Sequence, residues 1–121
     1  MILDTNILIA YFNGESNVVR TISNWKQTGR VLVISSISIA ETLALPTLSP
    51  DDADKIRAFL KNFLSIPFDD AVAEAAAVIK RTYQFGLPDA AIAATALTRN
   101  LPLVTRDRRF RKVREITVIE I

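Results

Sequence analysis

Short apolar runs separated by longer segments of helical periodicity constrain this chain more than any other feature of its sequence. Met1-Ile-Leu3, Val31-Leu-Val-Ile34, Ile66-Pro-Phe68, Leu101–Thr105 and Thr117–Ile121 are each too short for a stable helix and read as strands. Val31–Ile34 is continuously apolar and mostly β-branched, the mark of a strand covered on both faces. Pro67 cannot donate to a ladder, so its strand belongs at the sheet edge. Between these runs the pattern predicts helices over Thr5–Phe12 and Ser16–Thr28, parted by Asn13-Gly14, and over Ser38–Leu45, stopped by Pro46. Ser49 with Pro50 and two acids opens another helix, running to about Leu64. Asp69 caps an alanine-rich helix ending near Gly86, Pro88–Arg99 forms the next, and Arg108–Lys112 makes a single turn. Strands that alternate with helices predict an α/β fold: a mainly parallel five-stranded sheet with helices on both faces. With 121 residues the chain is expected to form one domain, residues 1–121, large enough to bury a core unaided.

The chain contains neither cysteine nor histidine. Disulfides, thiolate metal sites, imidazole acid–base catalysis, Ser-His-Asp triads and His-ligated zinc are therefore excluded. Hydrolytic chemistry near neutral pH would have to rest on Asp and Glu, on a Lys or Tyr with a displaced pKa, or on a metal. Met1–Phe12 is apolar, but it contains Asp4 and Asn6 and has no basic leader, which argues against an export signal. No run approaches the ~20 apolar residues of a membrane span. A cytoplasmic protein is expected. Net charge is only +2, yet seven of the 15 basic residues (Arg99, Arg106, Arg108, Arg109, Arg111, Lys112 and Arg114) crowd into one short segment. Such a strip is either an ordinary solvated surface or one that attracts phosphate.

Four of the acids fall where strands end. Asp4 directly follows the first strand, and ligands of open α/β sheets bind outside the carboxyl ends of strands. Asp107 lies two residues past Thr105, among Arg106, Arg108 and Arg109. Asp89 follows Pro88 at a helix start. The short link after Arg99 makes that helix run antiparallel to the next strand, which should bring Asp89 beside Asp107. Glu41 follows the second strand, with apolar residues around it. Each has a plain alternative: a helix cap at Asp4, a surface ion pair at Asp107, helix-dipole compensation at Asp89, and a capping box from Ser38 to Glu41. Together on one edge, four unpaired carboxylates would repel one another, and a divalent cation removes that penalty. Oxygen-only ligands favour Mg²⁺ or Mn²⁺.

The same residues resemble a family. Met1-Ile-Leu-Asp-Thr-Asn6, Ile37-Ser-Ile-Ala-Glu41, Leu87-Pro-Asp-Ala-Ala-Ile-Ala-Ala-Thr-Ala96 and Leu103-Val-Thr-Arg-Asp107 with Phe110 are similar, in order and spacing, to the motifs of PIN domains. These form the nuclease fold of VapC-type toxins in toxin–antitoxin pairs. The resemblance implies a PIN-like three-layer sandwich and a metal site made of Asp4, Glu41, Asp89 and Asp107. It further implies that Asn6 braces Asp4, that Thr105 supports the site, that the substrate is RNA, and that the partners are an antitoxin and a second copy of the chain. The chain departs from the pattern twice: little sequence precedes Asp4, and Arg109 stands where an acid often precedes the phenylalanine.

The expected reaction is metal-assisted phosphodiester hydrolysis, with Arg106 and Arg108 holding the RNA backbone. Two rivals are a receiver-type phosphoacceptor, which wants paired acids after the first strand and a lysine after the last, and a PIN-like protein that binds RNA without cutting. The stripe Phe59, Leu60, Phe63 and Leu64 suits either a dimer face or plain core packing.

Overall fold

The computed structural model describes all 121 residues. Its elements are β1 (Ile2–Leu3), α1 (Thr5–Phe12), α2 (Ser16–Gln27), β2 (Val33–Ser35), α3 (Ser36–Leu43), α4 (Pro50–Leu60), β3 (Leu64–Ile66), α5 (Asp70–Tyr83), α6 (Leu87–Arg99), β4 (Leu103–Thr105), a 3-10 turn over Arg108–Lys112, and β5 (Val118–Glu120). The five strands lie in the order β3-β2-β1-β4-β5, and every pair is parallel. Flavodoxin-like and receiver sheets run 2-1-3-4-5. The order found here is different, which removes the structural basis of the receiver reading.

Strand alternation builds the two outer layers. Ile2 pairs with Val33 on one side and Leu103 on the other, and all three face the core formed with α5 and α6. Leu3, Ile34 and Val104 point the opposite way, into a core shared with Ile7, Leu8, Val18, Ile22, Ile56, Leu60 and Phe63. The sheet is therefore the middle layer of an α/β/α sandwich, and its strands are apolar because neither face meets water. From Ala90 to Ala96 every residue of α6 is buried. Its alanines allow α5 and the sheet to approach closely, and Thr95 satisfies its hydroxyl on the carbonyl of Ala91.

Several boundaries shift from those expected. Helix α4 ends at Leu60, and β3 occupies Leu64–Ile66, so Pro67 follows the edge strand instead of lying in it. β2 starts at Val33, and Val31 is left exposed. Helix α3 begins at Ser36, capped by Ser35, whose hydroxyl accepts from the amide of Ile37. That overturns the capping box: Glu41 lies in the second turn, where it has no free helix amide to bind. Leu60 and Phe63 belong to the core, so most of the apolar stripe is spent internally.

Candidate metal and phosphate site

The strand order reverses between β1 and β4, and a crevice at the carboxyl ends of strands forms at such a switch point. Asp4 follows β1 on one side of it, while Thr105 ends β4 on the other. Asp4 is almost fully buried, with 4% of its surface exposed. One carboxylate oxygen accepts from the Thr5 amide at 2.8 Å and caps α1; the other accepts from the Thr105 hydroxyl at 2.6 Å. The plain capping role is thus present, and the second oxygen still reaches across to the end of β4. No basic residue pairs with Asp4. Burial pushes its carboxyl above the ordinary range; the two hydrogen bonds oppose this, and the charges of Asp89 and Glu41 add to it.

Two threonines wire the other acids to Asp4. Thr5 donates its hydroxyl to Glu41 Oε1 at 2.7 Å and lies 2.8 Å from the hydroxyl of Ser38, so α1 and α3 are tied beside the first strand. Thr105 accepts from the Asp107 amide at 3.0 Å while donating to Asp4, which fixes the start of the loop after β4. Asp107 caps the 3-10 turn through the amide of Arg109. Asp89 sits in the first turn of α6.

Arg109 joins the last two acids. Its Nη2 lies 2.9 Å from Asp89 Oδ2 and 2.6 Å from Asp107 Oδ2, and its Nε donates to both oxygens of Asp107. The expected proximity of Asp89 and Asp107 is therefore present, through a shared guanidinium. That guanidinium, hydrogen-bonded to Asp107, holds the Asp107 carboxyl below its ordinary range.

The acids meet on one edge, but not as a bare cluster: no three of them converge closely enough to hold an ion by themselves. Asn6 does not brace Asp4. Its side chain is exposed, and the bracing comes from Thr5 and Thr105. Arg106 is engaged in a two-pronged pair with Glu15, while Arg108 forms no ion pair. The sequence reading missed Thr5, although its place beside Asp4 in Asp-Thr-Asn was a signal, and it missed what Arg109 does, although Arg109 was already conspicuous there.

A parallel sandwich with acids at the β1/β4 switch point defines a class of α/β protein built to bind ligands on that edge. The PIN domain family model matches residues 1–116, and the chain belongs to that family. No curated protein matches it significantly. Among solved structures, a toxin–antitoxin complex from Klebsiella pneumoniae contains a chain that is 29% identical, with TM-score 0.82 and coverage of 99% of this chain and 98% of that one. A DNA-bound VapBC from Salmonella typhimurium is 26% identical over 98% and 96% of the two chains, with TM-score 0.84. VapBC2 from Rickettsia felis, bound to a promoter fragment, shares the fold at TM-score 0.85 with 20% identity, covering 99% and 97%. PIN domains are generally nucleases that use divalent metal ions.

Proposed function

We propose that residues 1–121 form one PIN-like nuclease domain, a Mg²⁺- or Mn²⁺-dependent endoribonuclease that acts as the toxin of a toxin–antitoxin pair in the cytoplasm. The single observation that carries this is Asp4: a buried carboxylate at the sheet's switch point, without a cation of its own, repelled by Asp89 and Glu41. Its surroundings fit a hard divalent ion, because every donor is a carboxylate oxygen. Asp4 and Asp89 would hold the ion, with Glu41 and Asp107 completing its shell once the edge draws together around it, since no three of the acids converge closely enough without it. When bound, such an ion lowers the pKa of a water and offsets charge building on the phosphate.

The protein's own groups supply the rest. Thr5 and Thr105 keep Asp4 aimed by donating to it, and those hydrogen bonds oppose the upward push that burial gives its carboxyl. Glu41, held by the Thr5 hydroxyl, would orient a water. Arg108 has no partner within the chain and offers its guanidinium to an RNA phosphate, a contact that positions without reading sequence. Arg106 is left out of this role because Glu15 already occupies it. The neighbours crystallised as toxin–antitoxin complexes support an antitoxin partner. A groove of about 280 Å³ between α1, α3 and α4, with Phe12 and Leu45 partly exposed along it, is apolar surface available to such a partner. A homodimer keeps the support of the family resemblance, and light scattering of the purified chain checks it.

The test is incubation with total RNA in Mg²⁺ or Mn²⁺, with and without EDTA. Cleavage that EDTA stops and Mn²⁺ restores is expected, and Asp89→Asn should lose it by about 100-fold or more while keeping the parent's circular dichroism. Equal cutting by the variant, or cutting in EDTA, sinks the reading. RNA binding without any cleavage would favour the silent alternative.

A further inference from the structure

Arg106 is the first residue past β4. It stands between Thr105, whose hydroxyl donates to Asp4, and Asp107, whose amide donates to Thr105, so its backbone lies on the rim of the crevice. Its guanidinium is given to Glu15, 91 residues away along the chain: Nη1 donates to Oε2 at 3.2 Å and Nη2 to Oε1 at 3.0 Å. Arg108, two residues further on, has no ion pair.

Glu15 stands at the N-cap of α2, yet its side chain does not cap the helix. A cap calls for a short side chain such as Ser, Thr, Asp or Asn. The longer glutamate places both oxygens on Arg106 instead. The tie is exchangeable. The two side chains keep 37% and 43% of their surface exposed, and an ion pair so open to water contributes no more than about 1 kcal/mol. Two parallel N–H groups of a guanidinium fit a carboxylate and a phosphate alike. Arg106 is thus already held, in the free protein, by an anion of the shape it would take from a nucleic-acid backbone.

We propose that Glu15 keeps Arg106 in a seat for an RNA phosphate, and that RNA entering the crevice takes the guanidinium from Glu15. Glu15 therefore lowers the affinity for RNA, because the pair is broken whenever the contact forms. A released glutamate also regains a counterion, which cancels the one that the phosphate gives up. The inference rests on the reading of the crevice as an RNA site; it adds a phosphate contact beside Arg108 and the residue that withholds it.

Binding of a fluorescein-labelled single-stranded RNA is followed by anisotropy in EDTA, where no cutting is expected, between about 50 and about 200 mM salt. Glu15→Gln should bind up to roughly fivefold more tightly than the parent, the equivalent of about 1 kcal/mol. Its salt dependence should steepen by about 0.7 in logarithmic slope, one phosphate's worth. Glu15→Ala, which has no oxygen to offer Arg106, should gain at least as much. In an Arg106→Gln background the same Glu15 change should give less than about a twofold gain and no change of slope. Asp54→Asn, which removes an equal charge from the exposed pair with Arg57 on α4, should bind as the parent does.

A merely structural tie predicts instead that both Glu15 variants melt lower and bind RNA no better, and that result overturns the inference. So does a gain that persists without Arg106, or an equal gain in Asp54→Asn, since either would reduce the effect to net charge. If neither the parent nor the Glu15 variants bind RNA, the RNA-site reading falls along with it. A parent that binds RNA, with Glu15 variants identical to it, overturns this inference alone.

Discussion

Thr105 joins two parts of the crevice by donating to a buried carboxylate and accepting from a loop amide. Thr105→Val keeps the shape but leaves Asp4 and the Asp107 amide each short of a partner. Hydrogen bonds to charged groups contribute about 2 kcal/mol, so urea unfolding should show a loss of that size. A loss below about 0.5 kcal/mol would show that the contact carries little. Asp4 behaves oppositely. Its charge is buried without a cation, so in EDTA at neutral pH Asp4→Asn should melt no lower than the parent while RNA cleavage disappears. A variant that melts well below the parent in EDTA would mean that the carboxylate serves the fold instead.

Helix α5 ends in a residue that is not suited to its conformation. Gln84 sits at φ 60°, in the left-handed region, and its amide closes the helix on the carbonyl of Lys80. A side chain there is strained, and Gln84→Gly should stabilise the protein by about 0.5–1 kcal/mol in urea titrations. At the other edge, Arg111 and Glu120 tie the 3-10 turn to β5. The guanidinium, hydrogen-bonded to Glu120, holds that carboxyl below its ordinary value of 4.5. A depressed acid stabilises the fold above its unfolded pKa and loses that contribution as pH falls through its folded pKa. The melting-temperature gap between the parent and Glu120→Gln should therefore stay level from neutral pH down to about 5 and close below about 4. A gap that widens on acidification would reverse the assignment.

The acidic edge is a cost to the whole molecule that an ion should relieve. Ligand that binds only the folded state stabilises it by RT ln(1 + [L]/Kd), about 2.7 kcal/mol at a hundredfold excess over Kd. Adding Mn²⁺ to EDTA-stripped protein should accordingly raise the melting temperature, and Asp4→Asn should abolish the rise. An equal rise in the variant would place the ion elsewhere. No helix is long and apolar enough to cross a membrane.

The strand–helix rhythm and the arrival of Asp4, Glu41, Asp89 and Asp107 on one side followed from the sequence alone, because period, helix starts and link lengths are local properties. β3 does lie at the edge, but Pro67, from which that was expected, falls outside the strand. The start of α3 at Ser36 did not follow, since Ser35, Ser36 and Ser38 offer competing caps and packing selects among them. Only tertiary structure decided which side chains hold the acids. Asn6 and Thr5 are adjacent polar residues, but α1 turns Thr5 inward toward Glu41 and Asn6 outward. Arg109 meets Asp89 across 20 residues of chain. Contacts of that range depend on how the layers close, and sequence spacing does not encode that distance.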